Sequence, residues 1–249
     1  MRNSFRLFCR WTLIALVQVF YAGCGHVQDE ILIAAGAGYK KPVIAVCNAF
    51  REKTGIPVTT VFGNMQMVSA QAKQSGRVGI VIGDKNFLCG KAMNIEYVDY
   101  VSLGAGILAL AYSRNCAAVD DAGDLLSSEI NRLSMPDTKK AIYGKAAKEY
   151  LLHEGLWEQL QPKLLIAATV PQVSSYLLSG EIDAGFINVT DALGIADKIG
   201  GYVLIEEGYS PIEIVAGIVS GHEGDSNILK FVNFLKGSRA ESILDEYGL

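Results

Sequence analysis

Residues 30–50 read EILIAAGAGYKKPVIAVCNAF. Residues 30–35 form a short apolar run, and Gly36-Ala37-Gly38 ends it. From 41 to 53 the apolar residues Val43, Ile44, Val46, Cys47 and Phe50 fall at helical spacing. Pro42 suits a helix's first turn, and Gly55 is a stop signal. The alternation continues outward. Residues 58–62 read as a second strand, 65–74 as a helix with Met65, Val68 and Ala72 on one face, and 78–82 as a third strand. Strand–helix–strand–helix–strand predicts a parallel sheet with helices on both faces.

The second half repeats this logic. It predicts one long strand over 106–112, a helix over 144–153, and a strand over 164–167. A helix over 173–178 and a strand over 183–188 follow, with Thr190-Asp191 positioned to cap the next helix. Residues 212–219 read as a strand and 227–247 as a helix broken at Gly237. No Pro/Ser-rich linker separates the halves. Two α/β lobes joined by crossing strands fit that absence, with crossings expected near 108–110 and 215–217. The expected lobes are 30–108 plus 217–249, and 109–216.

The first 23 residues differ from the rest. Arg2, Arg6 and Arg10 carry the only charges, and an apolar stretch from Trp11 to Tyr21 is interrupted only by Thr12 and Gln18. A positive flank and a short apolar segment form an export signal, too short for a comfortable membrane span. The ending Ala22-Gly23-Cys24 resembles the lipobox of bacterial lipoproteins, with Tyr21 in place of the usual Leu. That resemblance implies lipidation at Cys24, a tether over 24–29, and placement on a membrane facing the periplasm or the outer surface.

The 249 residues carry 22 Lys and Arg against 26 Asp and Glu. Loss of residues 1–23 removes three Arg and no acid, so the mature balance is more acidic, and no basic footprint for nucleic acid remains. Besides Cys24, the mature chain has Cys47, Cys89 and Cys116. An odd number cannot all pair within the chain. Cys47 reads as a buried helix thiol, and Cys89–Cys116 stays open as a disulfide. No pair has zinc-ligand spacing.

Signals for catalysis are poor. His26, His153 and His222 are scattered, and neither a nucleophile elbow nor a phosphate loop is present. Gly36-Ala37-Gly38 has two glycines of a dinucleotide loop but Lys41 at the third place, so a tight strand-to-helix turn is the simpler reading. No cofactor and no metal are expected. Such turns still present free backbone N–H groups at a helix N-terminus, where the dipole favours anions. The same geometry is expected at Gly63-Asn64 and at Asn188-Val189-Thr190-Asp191.

Four stretches carry a family resemblance: IYGKAAKE (142–149), GLW with PKL (155–157, 162–164), GEIDAGFINVTDAL (180–193), and FLKG through Tyr247-Gly248. In this order and spacing they resemble the periplasmic molybdate-binding proteins, the receptors of molybdate ABC importers. The resemblance covers 30–249. It implies an α/β, two-lobed, type II binding-protein fold with a hinge and a ligand clamped in the cleft. It also implies an ABC permease and its ATPase as partners, and capture without a covalent step; a monomer is expected. The ligand is expected to be a small oxyanion of the molybdate or tungstate type; the alternative is a receptor retuned for another anion, a metal species or a small organic acid.

At the ligand positions the chain departs from the family. Where the family keeps two serines, this sequence has Gly38 and Met65. The family's Ala after the third strand falls at Asp84, and its late Tyr at Asn188. Val170 keeps the apolar position that offers a backbone N–H. Losing two charge-assisted hydrogen bonds, each contributing about 1.5–3 kcal/mol, weakens an oxyanion site severely unless other donors replace them. Tyr39 and Asn64 stand beside the vacated places as substitute donors. Asp84 either faces the cleft, where it would repel an anion, or caps the next helix. Met65 and Met67 read as helix-core packing, with a metal or an apolar ligand as the other reading. Lys40 and Lys41 are positioned to draw anions to the first turn. The ligand set expected is Gly38, Tyr39, Asn64, Met65, Val170 and Asn188.

Overall fold

The computed structural model describes residues 30–249 apart from Ala92, so the export signal, Cys24 and the 24–29 tether lie outside the described residues. The first half runs β1 (Ile31–Gly36), a 3-10 turn (Ala37–Tyr39), α1 (Lys40–Thr54), β2 (Val58–Gly63), α2 (Met65–Ser75), β3 (Val78–Asp84), α3 (Lys85–Leu88) and β4 (Tyr97–Gly106). There follow β5 (Leu108–Tyr112), β6 (Leu133–Pro136), α4 (Ile142–His153), α5 (Trp157–Leu160), β7 (Leu164–Ala167), α6 (Val170–Ser179), β8 (Ala184–Asn188), α7 (Val189–Ile195) and β9 (Gly201–Ile205). The chain closes with β10 (Ile212–Val219), α8 (Ser226–Leu235) and α9 (Ser238–Glu246).

Two five-stranded sheets result, in the orders β2-β1-β3-β10-β4 and β7-β6-β8-β5-β9. Each defines one lobe of an α/β fold. The expected parallel order holds for β2, β1 and β3, but β10 and β4 join antiparallel, so the first sheet is mixed. Every residue of β1 and β3 is buried, as strands covered on both faces require. Phe50 pins α1 to α8 by packing edge-on against Phe231 and Phe234, with centroids 5.0 and 5.6 Å apart. Gly55 ends α1 at φ 75°, a left-handed turn that favours glycine.

The strand expected over 106–112 is two strands in different sheets. The chain passes from the first lobe to the second at Ile107 and returns over 206–211. The sequence boundary at 216/217 falls inside β10, because Ile212–Ala216 already pair with β4. An apolar run cannot say which sheet it joins. Tyr209 ties the two crossings: its hydroxyl accepts from Leu108 N at 3.0 Å and donates to Ile205 O at 2.7 Å. Cys47 is buried, its thiol pushed up to about 12 by desolvation, and Cys89 and Cys116 are both free. Asp84 takes the capping role. It accepts from Phe87 N at 3.2 Å and Glu213 N at 3.3 Å, while burial raises its carboxyl above the ordinary value.

Candidate functional site

The C-terminal ends of the central strands face each other across the space between the lobes, where open α/β sheets bind ligands. A cavity of about 20 Å³ lies there. The first lobe supplies Gly36–Tyr39 from the β1–α1 turn and Gly63–Met65 from the β2–α2 turn. The second supplies Ala141–Tyr143 at the start of α4 and Thr169-Val170 at the start of α6. Among the described residues no charged side chain lines it. A volume of this size holds about one water molecule.

Four helix starts converge on this point. Only α2 is capped by a side chain, Asn64 Oδ1 accepting from Met67 N at 3.0 Å. The 3-10 turn leading into α1 starts without a side-chain cap, and so do α4 and α6. The first-turn N–H groups of a helix have no partner within it. Uncapped starts therefore leave donors, and the positive ends of helix dipoles, facing the cavity.

The lobes also grip each other directly. Tyr39 Oη donates to Tyr143 Oη at 2.8 Å, and Asn188 Nδ2 donates to Gly38 O at 3.0 Å. Met65 N donates to Lys140 O at 2.8 Å, and Asn64 Nδ2 donates to Ala168 O at 3.4 Å. Each bond crosses from one lobe to the other. Gly38 makes the approach close: a Cβ there would lie 3.2 Å from Asn188 Nδ2 and 3.6 Å from the Val170 Cβ.

The structure thus brings Gly38, Tyr39, Asn64, Met65 and Val170 to one cavity, with Asn188 bonded just beside it. Met65 is buried, and its thioether packs where side chains on Gly36 and Gly83 would otherwise stand, so core packing describes it. Met67 differs from expectation: it is 56% exposed. Asp84 lies outside the cavity lining. The third wall comes instead from Ala141-Ile142-Tyr143; Ile142 and Tyr143 open the IYGKAAKE stretch, where no site role is expected from the sequence, and Ala141 precedes it. Asn188, not Thr190 or Asp191, caps α7 by accepting from Asp191 N at 3.2 Å. Lys40 stands over the Phe62 ring at 6.0 Å, while Lys41 reaches across to Gly194 on α7.

The pattern of a family described as bacterial extracellular solute-binding protein spans residues 31–249. The chain belongs to that family. It is accordingly a solute-binding protein rather than an enzyme. It is 28% identical over 240 residues to the molybdate-binding protein ModA of Rhodobacter capsulatus, covering 94% of this chain and 93% of that one. A putative ABC transporter substrate-binding lipoprotein of Bacillus subtilis, YvgL, is 28% identical over 150 residues, covering 59% of this chain and 55% of that one. The fold matches the periplasmic molybdate-binding protein of Azotobacter vinelandii with a TM-score of 0.77 at 23% identity, covering 88% of this chain and 98% of that one.

One buried carboxyl stands beside the site of this solute-binding protein. Asp191 Oδ2 accepts from Ser174 Oγ at 2.7 Å. Burial raises its pKa, opposed by that hydrogen bond and the Lys41 charge. The folded protein therefore holds this proton more tightly than the unfolded chain does. The resulting stability is present at pH below the ordinary carboxylate value and is lost as pH rises through the elevated one. Asp191→Asn is expected to flatten that dependence. Its melting temperature should exceed wild type near neutral pH, with the gap closing in acid. Melting curves of the two proteins across that range check this, and parallel curves would contradict it.

Proposed function

We propose that the chain captures a small oxyanion of the molybdate or tungstate type between its lobes and delivers it to an ABC permease and its ATPase. The observation that carries this reading is the convergence of three uncapped helix starts, from both lobes, on a cavity with no charged side chain. Backbone donors there suit an acceptor-only anion, and the absence of carboxylates in the lining disfavours a cation. The names of the ModA relatives point the same way. Gly38, Tyr39, Asn64, Met65, Val170 and Asn188 are the proposed contacts, joined by Ala141–Tyr143. Binding across the two lobes stabilises the closed arrangement that a permease recognises.

The cell-surface part of the proposal is that Cys24 becomes the lipidated N-terminus and residues 24–29 tether a monomer to the membrane. Support comes from the Arg-flanked apolar segment and from the lipoprotein name of the YvgL relative. Among the described residues no helix is long and apolar enough to cross a membrane.

Titration calorimetry of residues 30–249 with molybdate, tungstate and sulfate tests the reading. Heat at micromolar concentrations of molybdate or tungstate is expected, together with a rise in melting temperature that grows with concentration. Silence with both anions refutes the oxyanion assignment and favours the receptor retuned for another solute.

A further inference from the structure

We propose that Tyr39 and Tyr143 are the paired hydroxyls that read the solute, one from each lobe. The inference rests on the oxyanion reading above and says which side chains replace the serine hydroxyls missing at Gly38 and Met65.

Two buried tyrosines line the cavity, and a buried asparagine stands just beside it. Tyr39, Tyr143 and Asn188 are exposed to 1%, 2% and 0%. Tyr39 enters from the uncapped turn before α1, and Tyr143 from the first turn of α4. Their hydroxyls are 2.8 Å apart. Asn188 steadies the turn that carries Tyr39 from the second lobe, its Nδ2 donating to Gly38 O at 3.0 Å. Burial holds both phenols well above their ordinary pKa, so each keeps a proton to donate.

A hydroxyl pair spanning the cleft is an exchangeable contact. In the closed arrangement one neutral hydrogen bond links them, Tyr39 donating and Tyr143 accepting. An oxyanion entering between the lobes can accept from both, exchanging one neutral hydrogen bond for two charge-assisted ones, which are about twice as strong each. Because the donors sit on different lobes, an anion held by both also holds the lobes together. The glycines make room for this: a side chain on Gly36 would meet the Tyr39 ring at 3.3 Å, and one on Gly38 would meet Asn188 at 3.2 Å.

The test uses residues 30–249 as wild type, Tyr39→Phe and Tyr143→Phe, with molybdate, tungstate and sulfate as probes. Each substitution keeps the ring and removes one hydroxyl. Affinity for the best-bound anion is expected to fall about tenfold or more in each variant. Wild type should give a tyrosine ultraviolet difference spectrum on anion addition, reduced in both variants; a hydroxyl that only packs the cleft would leave it unchanged. Melting curves without anion establish that the variants fold, and if Tyr143→Phe does not, Tyr39→Phe carries the test from the other lobe. A wild type that binds while both variants bind within about twofold of it overturns the tyrosine assignment alone. A wild type that binds none of the three anions overturns the oxyanion reading and this inference with it.

Discussion

Gly38→Leu is expected to prop the lobes apart and to weaken solute binding by about 100-fold, equivalent to about 2.7 kcal/mol. A Cβ here would already stand 3.2 Å from Asn188 Nδ2 and in van der Waals contact with Val170 of the second lobe, so the rest of a leucine side chain has to displace both. A leucine there would break the Asn188–Gly38 hydrogen bond and separate Tyr39 from Tyr143. Yet it would leave both sheets and their cores untouched, because the contact lies between lobes rather than within one. Small-angle scattering should show a larger radius of gyration, and calorimetry the lost affinity. The melting temperature should change by only a few degrees. A variant as compact as wild type, with unchanged affinity, would show that closure does not depend on this approach.

Gly144→Ala is expected to lower stability by about 1–3 kcal/mol and to impair binding as well. A Cβ at 144 would collide with the backbone carbonyl oxygens of Pro136 and Asp137, which cannot swing aside as a side chain could. The first turn of α4 would have to lift away from the end of β6. That turn carries Ala141, Ile142 and Tyr143, the second lobe's wall of the cavity, so strain at 144 moves the site. Denaturant unfolding and calorimetry on the same variant measure both effects. A stable variant with weakened binding would separate the two roles, and an unaffected one would show that α4 can shift without cost.

These two glycines differ in how legible they were. Gly144 sits in IYGKAAKE, a stretch that carried the family resemblance, but nothing in the linear pattern tells that the helix there rests on β6 with no room for a methyl group. Gly38 was legible as a turn glycine at a strand end. That its carbonyl would accept from Asn188, 150 residues away, was not.

The sequence by itself determined the α/β alternation, the two-lobed class and the turns that face the cleft, because periodicity, glycine stops and strand-end turns are local properties. The family resemblance added the expectation that Gly38 and Met65 stand where the family keeps serines. Only the tertiary structure decided where the chain changes lobes, since Ile107 lies within an apolar run that reads as one strand. It decided likewise that β10 belongs wholly to the first sheet and that Asp84 turns away to cap α3. Above all it decided the third wall of the site. Tyr143 stands 104 residues from Tyr39, and their hydroxyls meet only because two separate sheets aim their helix starts at one point. Backbone direction is written locally, but which side chains meet across a cleft depends on how two independently packed lobes are set against each other.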